Sequence, residues 1–267
     1  MPFLLARRYL SDEKGQRELL LALCLAGLAY SLPALFEVRF SPQLNTWIYG
    51  FFQHDFAQMM RQGGFRPIVF LPHALWLAFF IFSCVVAATA LARASKDRDR
   101  TRFAFAASYL FVVLILCKSL ASLAYGLAIV PIVALASARW QIRLAVLIAV
   151  IAITYPMLRN LGVIPTDAIL AKAEAISAER ALSLGYRFDN EAMMLARAAE
   201  KPWFGWGGWG RNLVRDLETG QIISIPDGRW IITFGTFGWL GYIAEMGILT
   251  LPIFLLAIEL HRRQNRQ

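Results

Sequence analysis

Six apolar runs limit what this chain can fold into: residues 19–36, 68–91, 103–117, 121–138, 142–158 and 236–260 each read as a membrane span. A bilayer core takes about 20 apolar residues as helix, and fewer where the membrane thins. With 58% hydrophobic residues and a mean hydropathy of +0.52 over 267 residues, the composition belongs to a polytopic membrane protein and not to a soluble domain. The expected fold class is all-α: a polytopic helical bundle of about six transmembrane helices with a long helical periplasmic loop. Residues 1–158 form the bundle of spans one to five. Residues 159–235 form the loop, and 236–267 the last span with a cytoplasmic tail. The stretch from Phe103 to Ala138 is too long for one span. Lys118, beside Ser119 and Ser122, marks the turn, because a lysine at mid-membrane costs roughly 2.5–3.5 kcal/mol and a hairpin tip removes that cost.

Charge sets the orientation. Arg7, Arg8, Lys14 and Arg17 precede span one, and Arg93, Lys96, Arg98, Arg100 and Arg102 crowd the connection after span two. Arg139 and Arg143 lie between spans four and five, and Arg262, Arg263 and Arg266 follow span six. With six spans all four groups share one side, which the positive-inside rule makes cytoplasmic. Both termini are then cytoplasmic in a bacterial inner membrane, and residues 37–67, the Lys118 turn and residues 159–229 face outward. That last segment balances nine basic against nine acidic residues, and long loops translocate largely regardless of charge. The start, Met1 to Arg8, has no cleavage-site pattern, so the first span is expected to serve as its own address.

A net charge of +9 would point to nucleic acid in a soluble protein; here the cations line loops, and no nucleic-acid partner is expected. Cys24, Cys84 and Cys117 sit in apolar segments with neither disulfide nor zinc spacing, so they read as small buried hydrophobes. No metal site and no cofactor are expected.

In the outer segment, Thr166 or Asp167 caps a helix to about Leu182, and Asp189 or Asn190 caps a second that ends before Pro202. There follows Pro202-Trp203-Phe204-Gly205-Trp206-Gly207-Gly208-Trp209-Gly210. Gly205 to Gly210 spells G-x-G-x-x-G, but a helix and a proline precede it where the dinucleotide fingerprint needs a strand. Its tryptophans suit either the membrane interface or a platform that stacks on sugar rings. Arg66 stands at the outer mouth of span two, with His73 close to two helical turns on and Pro72 between them as a candidate kink. Arg66 reads as an anion ligand or a snorkelling cation, and His73 as a functional or a satisfied interior histidine. Lys118, Arg180, Arg187 and Arg229 are further outward-facing cations, the second and third flanking 183–186 between the two outer helices. Asp227 precedes Gly228 in a Pro-Asp-Gly turn. Glu245, inside the last apolar run, requires a partner, for which the arginines are candidates. Gly235, Gly238 and Gly241, three apart, read as close helix packing.

At these residues the chain resembles the O-antigen ligase and O-antigen polymerase family of bacterial envelope proteins. Gly64-Phe65-Arg66-Pro67 leading to His73-Ala74-Leu75 resembles the family's arginine-containing outer segment entering a span. Lys118-Ser119-Leu120-Ala121 sits where the family often carries Ser-Arg with small residues. Arg187, the helix after it, and Pro202-Trp203-Phe204-Gly205-Trp206-Gly207 resemble an Arg–helix–Pro-x-x-Gly-x-Gly block. Glu245-Met246-Gly247 resembles the Glu-x-Gly that opens its next span. Two departures stand out. Gly235-Thr236-Phe237 replaces the usual His-Asn, and the family commonly has ten to twelve spans, so the chain is expected to lack an N-terminal part.

The resemblance implies metal-independent glycosyl transfer from undecaprenyl diphosphate to another glycan or a lipid A-core acceptor on the periplasmic face. Arg66 and Arg187 would bind the diphosphate, with Lys118, Arg180 and Arg229 in support and Trp206 lining the cleft; His73 and Asp227 are the candidate bases. Membrane lipid is the third expected partner. The alternatives are a transporter and a non-catalytic subunit of a larger polysaccharide assembly complex.

Overall fold

A computed structural model describes residues 2–61, 63–176 and 178–264, the side chains of 2, 3, 176, 179, 180, 263 and 264 excepted. In order come α1 (Pro2–Tyr9), α2 (Glu13–Phe40), α3 (Leu44–Tyr49), a 3₁₀ turn (Phe56–Met59), and a hairpin of β1 (Met60–Arg61) and β2 (Gly64–Phe65). Then follow α4 (Ala74–Ala94), α5 (Asp97–Leu116), α6 (Leu120–Leu135), α7 (Ala138–Asn160), α8 (Thr166–Ile176), α9 (Ala178–Ala199) and α10 (Arg229–Gln264). The fold is thus almost wholly helical. Four of the described helices are long and apolar enough to cross a membrane: α2, α4, α7 and α10 over Arg229–Arg262. Helix α5 opens with five charged residues in its first six, and α6 is apolar but only 16 residues long.

The chain divides into two compact units, Met1–Ser137 and Ala138–Gln267. The first is built on α4, whose buried Leu77, Ala78, Ile81, Cys84, Val85, Ala88 and Leu91 repeat at helical spacing. Helices α2, α5 and α6 pack around it. Gly27 of α2 lies against the Cys84 side chain, which a Cβ there would strike. All three cysteines are buried and free. The α5–α6 connection turns where expected: Lys118 adopts φ +49°, and Ser119 caps α6.

In the second unit α10 packs on α7 and α9, and α8 on α9. Met194, Leu195, Ala198, Ile231, Phe234, Tyr242 and Met246 form its core. Pro156 has no N–H for the Ala152 carbonyl one turn earlier; the Tyr242 hydroxyl donates to that carbonyl at 2.7 Å instead. A buried tyrosine thus finds its partner at a proline defect.

Three local expectations change. Span two starts at Ala74, not near residue 68, because residues 66–71 are held in an irregular loop. Pro72 therefore precedes the helix instead of kinking it, and Arg66 and His73 do not share a helical face. Residues 183–190 do not separate two helices; they lie inside α9. Asn190 is no cap, since its Nδ2 donates to the Tyr186 carbonyl and its Oδ1 accepts from Ile225 N, both at 2.7 Å. It is buried tertiary glue, and Ser177, between α8 and α9, is outside the described residues. Gly238, finally, is not a packing glycine but a break within α10.

Candidate functional site

In the first unit the loop 66–71 is secured group by group from α2 and from the segment between α3 and β1. The carboxylate of Glu37, fully buried near the end of α2, accepts from Ile68 N at 2.9 Å, Val69 N at 2.7 Å and Leu44 N at 3.2 Å. The Tyr30 hydroxyl accepts from Phe70 N at 3.3 Å. Gln53 Nε2 donates to the carbonyls of Val69 and Leu71 at 2.7 and 3.2 Å. Buried backbone groups must find partners, and here side chains supply them where no helix can.

This scaffold presents Arg66, whose backbone N donates to Met59 O at 2.8 Å. The side chain is buried at 5% exposure, and its Nε has no hydrogen-bond partner among the described residues. Burial lowers the guanidinium pKa below its ordinary value, and the charge of Arg61 pushes the same way. Lys118, half-buried, reaches the hairpin next to Arg66: its Nζ donates to Arg61 O at 2.9 Å and occupies the space beside Gly64. A buried, incompletely bonded guanidinium next to two further cations attracts an anion. His73 has a different task. It caps α4, Nδ1 accepting from Leu75 N at 2.9 Å, with its ring edge-on to His54 at 4.5 Å. With Nδ1 accepting, a neutral ring carries its proton on Nε2 and offers a donor there.

In the second unit the Gly/Trp loop closes the break in α10. At Gly238 the backbone turns to φ 65°, ψ −164°, a region essentially confined to glycine. The interruption frees carbonyls before it and amides after it. The loop takes both: Trp206 N and Gly207 N donate to Gly235 O and Thr236 O at 2.9 and 2.8 Å. In return Trp239 N and Leu240 N donate to Pro202 O and Trp203 O at 2.7 and 3.3 Å. Gly205, at φ +69°, faces Gly238 backbone to backbone; a Cβ on either would strike the other's segment. Pro202 to Gly207 is therefore a docking strip for a discontinuous helix. No strand precedes it, so the nucleotide-fingerprint reading stays excluded.

Trp206 is committed to the same strip. Its Nε1 donates to Arg197 O at 2.7 Å, and its ring lies 3.4 Å from Arg197 Cζ and 4.1 Å from Lys201 Nζ. Trp209, at 96% exposure, and Trp203 are the presented rings.

Four arginines of this unit, Arg159, Arg187, Arg197 and Arg229, lie within ion-pair distance of a carboxylate. Arg187 Nε lies 3.1 Å from Asp227 Oδ2, both half-exposed. Arg229 Nε bonds Glu245 Oε1 at 2.5 Å while Thr233 Oγ1 donates to Oε2 at 2.7 Å, so Glu245 has the arginine partner its setting demanded. The side chain of Arg180, on α9, falls outside the described residues. Only the partner of Glu245 was expected; unforeseen, besides Arg187–Asp227, are Arg197 with Glu200 at 2.8 Å and Arg159, whose Nε lies 3.7 Å from a Glu191 Oε2 that also accepts from the Tyr155 hydroxyl at 3.1 Å. The signal for the Arg159 pair was available, since Glu191 follows Arg187 by one helical turn and Arg159 ends an apolar helix. Glu37 was missed as well, although an acid in the last turn of a helix opposes the dipole and so invites a tertiary explanation.

No cluster of His, Cys, Asp and Glu suited to a metal ion occurs among the described residues. The chain matches no protein-family model, no curated protein and no solved structure.

Proposed function

We propose that this chain crosses a bacterial inner membrane six times, with α5 and α6 as its third and fourth spans, both termini cytoplasmic and residues 159–229 periplasmic. On the outer face it transfers a glycan from undecaprenyl diphosphate to a glycan or lipid A-core acceptor, as the O-antigen ligase and polymerase family that it resembles does. The observation that carries this reading is Arg66, a buried guanidinium with an unused donor, under the charge of Arg61 and directly after the hairpin that Lys118 reaches. The acceptor hydroxyl attacks the anomeric carbon, the C–O bond to diphosphate breaks, and the departing diphosphate gathers charge. Cations already fixed in a dry setting stabilise that charge without reorganising. In the second unit, Arg187 and Arg229 are the further phosphate ligands that the resemblance implies, and either binds an anion only by exchanging part of its hold on Asp227 or Glu245. Asp227 and His73 are the candidate bases for the acceptor hydroxyl.

A transporter is the second reading, favoured by the break at Gly238, because discontinuous helices build binding sites in many transporters. Purified protein in liposomes, supplied with radiolabelled glycan on undecaprenyl diphosphate and with acceptor, separates the readings. We expect labelled product, abolished in Arg66→Ala and Arg187→Ala while insertion and folding persist. Product retained in both variants would sink the site assignment. Movement of the donor across the bilayer without product would favour the transporter, and neither activity the non-catalytic subunit.

A further inference from the structure

At the end of α4 opposite Arg66 and His73, the first unit contains a second feature with its own chemistry. Helices α5 and α6 both pack on α4 but far less on each other. They meet at Gly126, where a Cβ would fall 3.0 Å from Leu114 Cδ2 and 3.2 Å from Phe111 Cε2. From there a groove of ≈ 640 Å³ runs between α4, α5 and α6 to Arg93 and Arg100. That volume lies within the usual range of ligand sites. Its α5 wall, Arg100, Ala104, Ala107, Ser108 and Phe111, follows one helical face for about 16 Å. This is the depth of one bilayer leaflet, whose hydrocarbon is about 15 Å thick. The small side chains of Ala104 and Ala107 leave the width. The flanks of α5 and α6 outside the groove carry exposed Phe105, Val112, Leu120 and Tyr125, as faces against lipid do.

The chemistry changes along the groove. Its walls are apolar, and one end is cationic. Residues 93–102 bring five cations (Arg93, Lys96, Arg98, Arg100, Arg102) against two carboxylates, Asp97 and Asp99. Asp99 pairs with Arg102 at 3.1 Å. Arg93 Nη1 donates to the carbonyls of Val133 and Ala136 at 2.7 and 2.6 Å, which pins the guanidinium at the mouth and leaves its charge uncompensated by those neutral groups. Arg100 has no ion-pair partner among the described residues.

We infer that the groove between α4, α5 and α6 binds an anionic phospholipid of the bilayer, one acyl chain along Ala104 and Ala107 and the phosphate on Arg93 and Arg100. Basic pockets between membrane helices take acidic headgroups in this way, and the charge pattern distinguishes that occupant from a purely apolar helix. The inference does not rest on the glycan-transfer reading, whose donor would meet Arg66 at the other end of α4.

The test reconstitutes the full chain in phosphatidylcholine vesicles with phosphatidylglycerol as minor component, re-extracts it in mild detergent and counts co-purified lipids by native mass spectrometry. Phosphatidylglycerol should be enriched on the protein over its share in the vesicle. Arg100→Gln, an exposed change in the first turn of α5, should lower that enrichment about fivefold, the effect of one basic residue near an acidic headgroup. Ala104→Phe should expel the bound lipid although every charge is kept; should that variant not fold, Arg100→Gln carries the test alone. Equal retention of the two lipids by the natural sequence, or an unchanged preference in Arg100→Gln, would overturn the assignment. So would displacement of phosphatidylglycerol by polyprenyl phosphate at the same mole fraction, which would make the groove a donor-lipid site. A dimer that Ala104→Phe splits without changing retained lipid would make it an interface between copies.

Discussion

The two units stabilise their irregular loops by opposite means. In the first, one buried carboxylate, Glu37, collects the N–H groups of Leu44, Ile68 and Val69, while the cation nearby, Arg66, is left with an unused donor. In the second, backbone answers backbone across Gly205 and Gly238, and four arginines each meet a carboxylate. Arg187 and Arg229 are each compensated by a carboxylate, and Arg66 has none within ion-pair distance among the described residues. An anion arriving at Arg66 gains a vacant donor, whereas one arriving at Arg187 or Arg229 must compete with Asp227 or Glu245. On the proposed function, Arg66 is therefore ready to take a phosphate, and Arg187 and Arg229 must first release a carboxylate.

The largest effect tests the scaffold beneath Arg66. Glu37→Ala orphans three backbone N–H groups, two of them buried, and each such group costs between one and three kcal/mol. We expect a loss of about 4 kcal/mol in detergent-solubilised protein followed by thermal unfolding. A loss under about 1 kcal/mol would mean that water or a neighbour readily replaces the carboxylate. Next comes the docking strip. Gly238→Ala forces a Cβ into a conformation costing about 1–3 kcal/mol and into the backbone of Trp203 and Phe204. Its expected destabilisation is about 3 kcal/mol, with exchange of the Trp206 and Gly207 amides accelerated. Unchanged exchange there would separate the strip from the helix break.

Arg66→Met reverses the sign. A buried cation without a carboxylate partner is a cost to the fold, so the apolar isostere should raise stability by about 1 kcal/mol while glycan transfer is lost. Arg187→Met removes only a half-exposed ion pair, and its stability should change by less than about 1 kcal/mol. If both variants move stability alike, the contrast between the two units fails at its centre.

The difference between the units also explains what could be read from sequence. Apolar runs located α2, α4, α7 and α10, the four described helices long and apolar enough to cross a membrane, because length and hydropathy are local properties. The Lys118 turn was legible for the same reason: one charge in an apolar stretch has few places to go. Glu245 announced a partner, and Arg229 is that partner. The loops were not legible. Gly238 sits in a three-residue glycine spacing that describes helix packing as well as it describes a break, and only the arrival of Gly205 decides. Asn190 looked like a cap because its side chain competes for backbone groups; which groups it takes, Tyr186 O and Ile225 N, is a tertiary fact. Glu37 passed as the first residue of the outward segment 37–67, for want of any local sign of the loop it holds.

The smallest effect concerns a second carboxylate that gathers backbone donors, this time in water. Asp216 Oδ1 accepts from Glu218 N at 3.0 Å, Thr219 N at 2.7 Å and Thr219 Oγ1 at 2.9 Å. These bonds, those of Thr219 foremost, hold its pKa below the ordinary aspartate value of 3.8. A carboxyl whose folded pKa is depressed contributes stability that is present above the unfolded value and lost as pH falls through the folded one. The turn 216–220 should keep its protected Glu218 and Thr219 amides down to about pH 4 and release them only in stronger acid. Global unfolding should not follow, because the group is solvent-exposed and secures its own turn alone. Hydrogen exchange read residue by residue checks this, and Asp216→Ala should give the acid pattern at neutral pH. Release of the 66–71 loop in the same variant would contradict the independence of the two devices, since Glu37 alone supplies the carboxylate there.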